Sequence, residues 1–374
     1  MTDEFEFALE QIADESRAIR SINLIHLSDL GRARAVELHH SLLGLSVSRQ
    51  LELLGAMVEQ AESNIHLNFH AILRLCMADA DAELRRLAIE GLWEDERPSL
   101  VAPLIRILVS DPALEVRAAA ATSLGRFVLL GVLGEIDPAP AAQAIQALRD
   151  TWDRATGPTE VRRRALESLA YTNEPEVRSL ISLAYYDDDQ LMRQSAVFAM
   201  GRTADRGWAR FILTELAEHE PALRFEAAIA AGELALKPAV KPLIRMLDDP
   251  DGNVREAAAV ALGKIGGPGA RRALEEVLQG SDERLVEAAQ EALAELMFNS
   301  EQLEDSLMDD GQLDFEGVAS RSGQDDDGFR FDDEDDDLFM DDGSGEDDEL
   351  DLDEEYPEDE DDAAWDDEDL AVEG

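Results

Sequence analysis

Apolar residues along most of the chain are spaced three and four positions apart, which is the pattern of one face of an α-helix. Between residues 79 and 298 this spacing belongs to a repeated phrase, apolar-Arg-x-x-Ala-x-x-x-Leu. One residue of the phrase, which we call the marker, defines each copy. The markers are Arg85, Arg117, Arg162, Arg193, Arg224, Arg255 and, at the seventh place, Val286. The last four intervals are each 31 residues, so the pattern predicts a helical repeat.

Each copy places an alanine three residues after the marker, on the predicted apolar stripe of the helix. These alanines are Ala88, Ala120, Ala165, Ala196, Ala227, Ala258 and Ala289. A methyl group at the same position in all seven copies indicates that neighbouring helices approach closely, near the lower end of the usual 8 to 10 Å.

An acidic residue precedes the marker by four positions in five copies. It is Asp81, Asp189, Glu220, Asp251 or Asp282. At the first turn of a helix such a side chain can cap free N–H groups and complement the helix dipole. The pattern therefore predicts a helix start at each of these positions.

A glycine or polar break and a second short apolar pattern follow each marker helix. Two of these second helices are almost identical, at residues 103–108 and 242–247, and each begins with a proline that suits a first helical turn. A helical hairpin cannot bury both faces alone, so stacked hairpins are expected. The predicted fold is an all-α solenoid over residues 79–298, with an insertion near 126–140, where the marker interval lengthens to 45 residues.

Residues 1–78 carry helical spacing without the marker and alanine pattern, which predicts an atypical N-terminal cap on the stack.

The phrase Asp249-Pro-Asp-Gly-Asn-Val-Arg-Glu-Ala-Ala-Ala-Val-Ala-Leu-Gly263 resembles the HEAT-like repeat of the phycobilisome lyase type. The resemblance covers about residues 79–296 and implies a superhelix of helical hairpins. It also implies that the repeated acids and arginines link helix starts along the stack. That structural role would fall to Asp111, Asp187 and Asp249 with Arg117, Arg193 and Arg255.

Charge separates the last 76 residues from the rest. Residues 299–374 hold 36 acidic and two basic side chains, a net charge of −34 out of −51 for the whole chain. Self-repulsion and few apolar residues predict a disordered acidic tail. Its clustered hydrophobic residues are either candidate binding motifs or residues that disorder tolerates. The candidates are Phe329, Phe331, Leu338, Phe339 and Trp365.

This composition argues against several partners and compartments. A chain of net charge −51 lacks the cationic surface that nucleic acid or an anionic membrane needs. With Cys76 as the single cysteine, no intramolecular disulfide can form. The first 16 residues have no positive region followed by an apolar one, so no secretory signal is predicted. We expect a cytoplasmic protein.

Candidate chemistry is sparse. HEAT-repeat hydroxylases such as deoxyhypusine hydroxylase hold iron with several His-Glu pairs, whereas this chain has one, His219-Glu220. His66 and His70 have a zinc-pair spacing, but Leu67 replaces the glutamate of HExxH and no third ligand is evident. None of the tail glycines allows a calcium loop. We therefore predict no cofactor, no metal and no catalytic residue.

Basic residues on the second helices could gather on one groove surface, the alternative being an ordinary face of mixed charge. The candidates are Arg106, Arg210, Lys241, Arg245, Arg271 and Arg272. Two functions follow from different classes. The favoured one is a non-enzymatic scaffold that binds proteins on its curved surface, with the acidic tail serving solubility or a basic partner. The alternative, implied by the resemblance, is a phycobilin-lyase-like enzyme or enzyme subunit.

Overall fold

The computed structural model describes residues 4–153, 157–172 and 174–309, with side chains through residue 298. This part of the chain forms eighteen α-helices and contains no strand, which confirms the predicted all-α solenoid. The candidate tail motifs lie outside the described residues, as does the predicted tail beyond residue 309. The last helix, however, continues eleven residues past the predicted tail boundary at 298, to Asp309.

Five helices precede the first marker helix. They are α1 (Glu4–Ala13), α2 (Ser21–Ile25), α3 (Arg32–Leu42), α4 (Val47–Ser63) and α5 (His70–Cys76). The first three pack around Phe5 and Ile12, while α4 and α5 contact the first marker helix. The N-terminal segment therefore shares one hydrophobic core with the repeats.

Seven marker helices form one layer, in which each packs against the next. They are α6 (Ala82–Glu90), α8 (Leu114–Leu133), α10 (Thr159–Leu169), α12 (Gln190–Arg202), α14 (Pro221–Glu233), α16 (Gly252–Ile265) and α18 (Glu283–Asp309).

Six second helices alternate with them in the chain and pack against the marker helices. They are α7 (Val101–Ser110), α9 (Pro138–Asp153), α11 (Pro175–Tyr185), α13 (Ala209–Glu215), α15 (Val240–Met246) and α17 (Pro268–Val277). Pro103 and Pro242 lie in the first turns of α7 and α15, as predicted.

Aspartate caps begin four of the marker helices where the sequence predicted them. For example, Asp81 accepts hydrogen bonds from the N–H groups of Glu83 and Leu84. Asp189, Asp251 and Asp282 cap in the same way. Glu220 makes no such hydrogen bond, so its predicted cap is wrong. Its side chain is one methylene longer than that of aspartate, and aspartate is the acid preferred at this capping position.

The seven repeated alanines are all fully buried, as expected of a tight interface between marker helices. Glycines make the closest approach, however. A Cβ atom built on Gly232 would lie 2.9 Å from the Cα of Ala261 on the next marker helix. A Cβ atom built on Gly201 would lie 2.8 Å from the Cα of Ala230. These glycines lie inside α14 and α12, one residue before each helix ends.

The predicted insertion lengthens a marker helix. Residues 126–133 continue α8 to 20 residues, and Gly134 ends it with a positive φ of 74°. By length and composition α8 could also span a membrane, but half of that segment is buried in the protein, between α6, α7, α9 and α10. Packing on several sides accounts for its apolar composition.

Candidate functional site

The marker arginines are held by protein groups in the first, fifth and sixth repeats. Arg85 makes a two-pronged ion pair with Asp111 of the next repeat, and Arg224 does the same with Asp249. Arg255 pairs with Asp282. The acid therefore comes from the following repeat, and the arginine ladder is structural in these repeats.

Arg193 and Arg117 have other partners than the resemblance implied. Arg193 pairs with Glu215, which is fully buried, and no arginine is paired with Asp187 among the described residues. Arg117 donates to the carbonyl oxygen of Leu108 at 2.8 Å. The following repeat has no acid at the matching place, where the sequence carries Thr156. The ladder is interrupted beside the insertion.

The six basic residues predicted to share a groove are all exposed on second helices. Arg106 lies on α7, which packs against α9, while Lys241 and Arg245 lie on α15, which packs against α17. Arg271 pairs with Glu275 of its own helix at 3.0 Å. Arg210 stacks on Phe211, and Arg272 lies on α17 beside Arg271. Their joint binding role stays a prediction.

A different surface carries a groove. It has a volume of about 790 Å³ and runs across α6, α8 and α10 on the marker-helix layer. The lining residues are Ile89, Glu90, Trp93, Glu115, Ala118, Ala119, Thr122, Ser123, Arg126, Leu129, Glu160, Arg164 and Tyr171. We call this surface the α8 groove. It is mostly apolar, with charged residues among its walls.

The groove exists because its floor is made of small side chains. The floor positions lie one, two, five and six residues after the marker. On α8 they are Ala118, Ala119, Thr122 and Ser123, on α10 Arg163, Arg164, Glu167 and Ser168, and on α14 Phe225, Glu226, Ile229 and Ala230. Larger side chains therefore cover this surface on α10 and α14 and leave it open on α8.

Aromatic residues form the walls. Trp93 follows the end of α6, is 55% exposed and forms one wall of the groove. Tyr171 follows α10 on the opposite side. Leu129 lies on the part of α8 that the insertion adds.

Arg126 holds the Trp93 wall in place. Its guanidinium donates to the carbonyl oxygens of Leu92 at 3.0 Å and Asp95 at 2.8 Å, which flank the turn that carries Trp93. Burial lowers the pKa of Arg126, against the raising effect of Asp95 and Glu96. An arginine stays protonated in such a site, so its role here is to tie α8 to the end of α6.

Polar atoms at the floor are incompletely paired. The Ser123 hydroxyl and the Nε of Arg126 are buried and have no hydrogen-bond partner among the described residues. Both lie on the groove face of α8, one turn apart.

Three glutamates and two arginines line the groove, and the glutamates differ in their pairing. Glu90 accepts from Arg86, and Glu160 accepts from Arg163 and Arg164. Glu115, in the first turn of α8, is exposed and has no ion pair within the part of the chain that the structure describes. It is a free negative charge at one end of the groove.

A polar network continues the same surface beyond the groove. Arg163 donates to the buried Ser195 hydroxyl at 2.8 Å, and that hydroxyl donates to Glu167 at 2.6 Å. Gln194 donates to Glu226 at 3.3 Å. This network fixes α10, α12 and α14 against one another.

Other groups with reactive chemistry are occupied or enclosed. Asp95 is buried and accepts from Arg74 and Arg97, which hold its pKa well below the usual range although burial alone would raise it. His70 lies 4.0 Å from Asp95, and burial lowers its pKa. Burial raises the pKa of Cys76 to about 12. Within the described ranges no group of three or more His, Cys, Asp or Glu residues could hold a metal ion.

Sequence reasoning missed the α8 groove. Two signals could have indicated it: the run of small residues at the floor positions of α8, and the insertion that lengthens the same helix. The exposed Trp93, just after a marker helix, is a third.

Comparison with known proteins agrees with the repeat pattern. Residues 70–158 and 209–294 match a family model described as HEAT repeats. No curated protein matches the chain significantly. Human deoxyhypusine hydroxylase in complex with glycerol is 16% identical, with 79% of this chain and 96% of that chain covered and a TM-score of 0.32.

Two further solved structures are similar at comparable levels. The complex of CpcE and CpcF of phycocyanin lyase from Nostoc sp. PCC7120 is 18% identical, with 61% of this chain and 94% of that chain covered and a TM-score of 0.41. A designed armadillo repeat protein is 20% identical, with coverages of 54% and 100% and a TM-score of 0.32. The predicted resemblance to HEAT-like repeats is thus confirmed by the family match over residues 70–158 and 209–294.

Proposed function

We propose that this protein is a non-enzymatic, cytoplasmic scaffold that binds a helix of a partner protein in the α8 groove. The observation that carries the proposal is the open, largely apolar groove with the exposed Trp93 on its wall. Solenoids present extended surfaces of this kind for binding, and a groove is the place where a partner buries the most surface.

The dimensions of the groove favour a helix as its occupant. Its floor is one helix, α8, and its walls belong to the neighbouring helices α6 and α10. Adjacent helices lie about 8 to 10 Å apart, so the walls are roughly two such spacings from each other. That distance joins helix axes and includes the side chains of the wall helices, so a further helix, about 10 to 12 Å across with side chains, would rest on the small side chains of the α8 floor between the two rims.

Trp93 is the residue expected to contribute most to binding. Interfaces draw most of their affinity from a few large side chains, among which tryptophan is enriched. Because Arg126 already fixes the turn that carries Trp93, little conformational freedom is lost when a partner packs against the ring.

The proposal can be tested by filling the groove. Thr122 is exposed on the floor, and its hydroxyl bonds only to the carbonyl of Ala118 on its own helix. A Thr122→Trp variant should fold normally and lose the partner. Thr214, exposed on α13 with the same kind of bond to Arg210, provides the matched control Thr214→Trp.

The measurement is quantitative mass spectrometry of proteins retained by the wild-type chain and by the two variants. We expect at least one protein that is retained by the wild type and by Thr214→Trp and is depleted at least tenfold with Thr122→Trp. Identical sets of retained proteins for all three chains would refute docking in the α8 groove.

A further inference from the structure

We propose that the helix bound in the α8 groove is cationic, with an apolar stripe against the floor and a lysine or arginine beside Glu115. This inference rests on the proposed function and adds the chemistry of the partner.

The groove has two chemically different ends. Glu115 and Glu160 lie in the first turns of α8 and α10. Trp93, Leu129 and Tyr171 lie past the last turn of α6, near the end of α8 and past the end of α10. The helices run in the same direction, since the start of α6 pairs with the residues before α8 and its end contacts Arg126. One end of the groove therefore carries two glutamates against one arginine, Arg164, and we call it the acidic end; the other end is aromatic.

Glu115 is the carboxylate available to a partner at the acidic end. Glu160 is already neutralised by two arginines of α10 at 2.7 and 2.9 Å. Glu115 is exposed and unpaired in the described part of the chain, so a partner cation can reach it without breaking an existing ion pair. A cation placed there also gains from the shielding that a bound helix gives, because an ion pair is stronger when it is partly removed from water.

The floor selects an apolar face on the partner. Ala118 and Ala119 present methyl groups, and Thr122 adds another beside the buried Ser123 hydroxyl. Small side chains let a second helix approach closely, as they do between the marker helices of this protein. Leucine or alanine at spacings of three and four would fill the floor, and the partner's polar face would point to solvent.

The net charge of the whole protein also favours a cationic partner. The first 298 residues carry a net charge of −17, and the whole chain −51. An anionic helix would be repelled during its approach, whereas a cationic one would be attracted.

Three synthetic 18-residue peptides of equal length serve as probes for the full chain. The first has a leucine and alanine stripe with lysines on its polar face. The second replaces the lysines with glutamates. The third keeps the composition of the first but scatters the apolar residues, so that it has the same charge and no stripe. Binding is measured by calorimetry and by Trp93 fluorescence, with Trp93→Phe to identify the signal.

We expect the lysine peptide to bind at least tenfold more tightly than the other two. Glu115→Lys should weaken it about tenfold, and Thr122→Trp should abolish the binding that calorimetry measures. The control Glu176→Lys should leave affinity within twofold, since Glu176 is likewise an exposed first-turn glutamate but lies on the second helix α11.

The contrary results separate the two proposals. Two results would refute the cationic partner: equal affinity of the glutamate and lysine peptides, or an unchanged affinity of the lysine peptide for Glu115→Lys. If Thr122→Trp still abolishes binding in either case, docking in the groove stands. If the lysine peptide binds Thr122→Trp as tightly as the wild type, it binds outside the groove and the inference is refuted. The inference is also refuted if the scattered peptide binds as tightly as the lysine peptide. If Thr122→Trp changes the calorimetric binding of none of the peptides, helix docking in the α8 groove is refuted too.

Discussion

Close contacts between the marker helices depend on glycine, which carries a hydrogen atom where other residues carry a Cβ atom. Gly232 lies in α14, where a Cβ atom would meet the backbone of Ala261 at 2.9 Å. Backbone atoms cannot rotate away, so Gly232→Ala should lower the free energy of unfolding by about 1 to 3 kcal/mol through overpacking. Urea denaturation measures the change.

Gly55 provides the matched control because it lies in α4 and has nothing within 4 Å of its hypothetical Cβ atom. There the better helix propensity of alanine should raise stability by up to about 1 kcal/mol. Equal effects of the two substitutions would show that the marker-helix interface does not need a glycine.

This difference also shows what the sequence can predict at a single position. Ala227 and its equivalents were predictable, because a residue type that recurs on the apolar face at a fixed spacing identifies a buried contact. Gly232 was not predicted to lie at a contact, since it has no side chain to mark an apolar face, and its helix propensity is low. In the structure the close approach of Ala261 outweighs that propensity, and propensity alone contains no information about a neighbouring helix.

Glu226 is a partly buried carboxylate with few compensating contacts. Burial raises its pKa, the hydrogen bond from Gln194 lowers it, and the charge of Glu167 raises it again. Two nearby arginines, Arg163 and Arg164, lower it further, but the net direction is upward. A raised folded-state pKa means that protonated Glu226 favours folding. This contribution is fully present below the unfolded-state pKa and is lost as pH rises through the folded-state pKa.

Replacing Glu226 with a neutral isostere should therefore stabilise the protein at neutral pH. We expect Glu226→Gln to raise the free energy of unfolding by about 0.5 to 1 kcal/mol at pH 7.5, the scale of one polar contact. The gain should shrink as pH falls through the folded-state pKa of Glu226, because the wild-type carboxyl then takes up its proton. Urea titrations at several pH values test this, and a pH-independent gain, or the same gain for the exposed Glu176→Gln, would contradict it.

At the scale of elements, ion pairs between successive repeats link the starts of the marker helices. Arg224 makes a two-pronged pair with Asp249 at 2.7 and 2.8 Å, and both side chains are largely buried. Arg224→Ala should cost about 1 to 3 kcal/mol, because it leaves a buried carboxylate with fewer donors. Arg117 donates instead to the carbonyl of Leu108, so Arg117→Ala should cost less by at least about 1 kcal/mol.

Denaturation midpoints of the two variants measure this difference. A double-mutant cycle of Arg224→Ala with Asp249→Ala isolates the pair itself, and a coupling energy near zero would mean that the ladder adds no stability between repeats.

The arrangement of helices was predictable from sequence to a greater degree than the α8 groove. Periodic apolar positions and aspartate caps act within one helix, so Asp81 and Asp251 indicate helix starts without any knowledge of the neighbours. The groove depends on how three helices stand together. Ala118 and Thr122 are ordinary helix-surface residues until α6 and α10 provide walls on either side.

The same reason explains the basic residues of the second helices. Arg106 and Arg245 were predicted to share a surface, and they occupy the same place in two almost identical second helices. Whether two equivalent positions four repeats apart lie together depends on the rotation accumulated from repeat to repeat, which a single repeat does not specify.

At the scale of the whole molecule, net charge should control how fast a cationic helix reaches the α8 groove. Removing residues 310–374 deletes 32 acidic and two basic side chains and leaves a net charge of −21 in place of −51. A chain ending at Asp309 keeps α18 whole, so circular dichroism should show the same helix content per molecule over the retained residues. The association rate of the lysine peptide should then fall, and its dependence on salt should weaken, because long-range attraction scales with the charge that remains.

The dissociation rate from the groove should stay within twofold, since the contacts at Trp93, Glu115 and the α8 floor are unaltered by the truncation. Stopped-flow fluorescence of Trp93 between roughly 0.05 and 1 M ionic strength measures both rates, because the screening length shortens over this range from more than 10 Å to about 3 Å. Faster dissociation from the shortened chain would mean that residues 310–374 contribute to holding the peptide. Tighter binding by the shortened chain would mean that the acidic segment competes with the groove for the cationic helix, and in either case steering by net charge would not be the role of the tail.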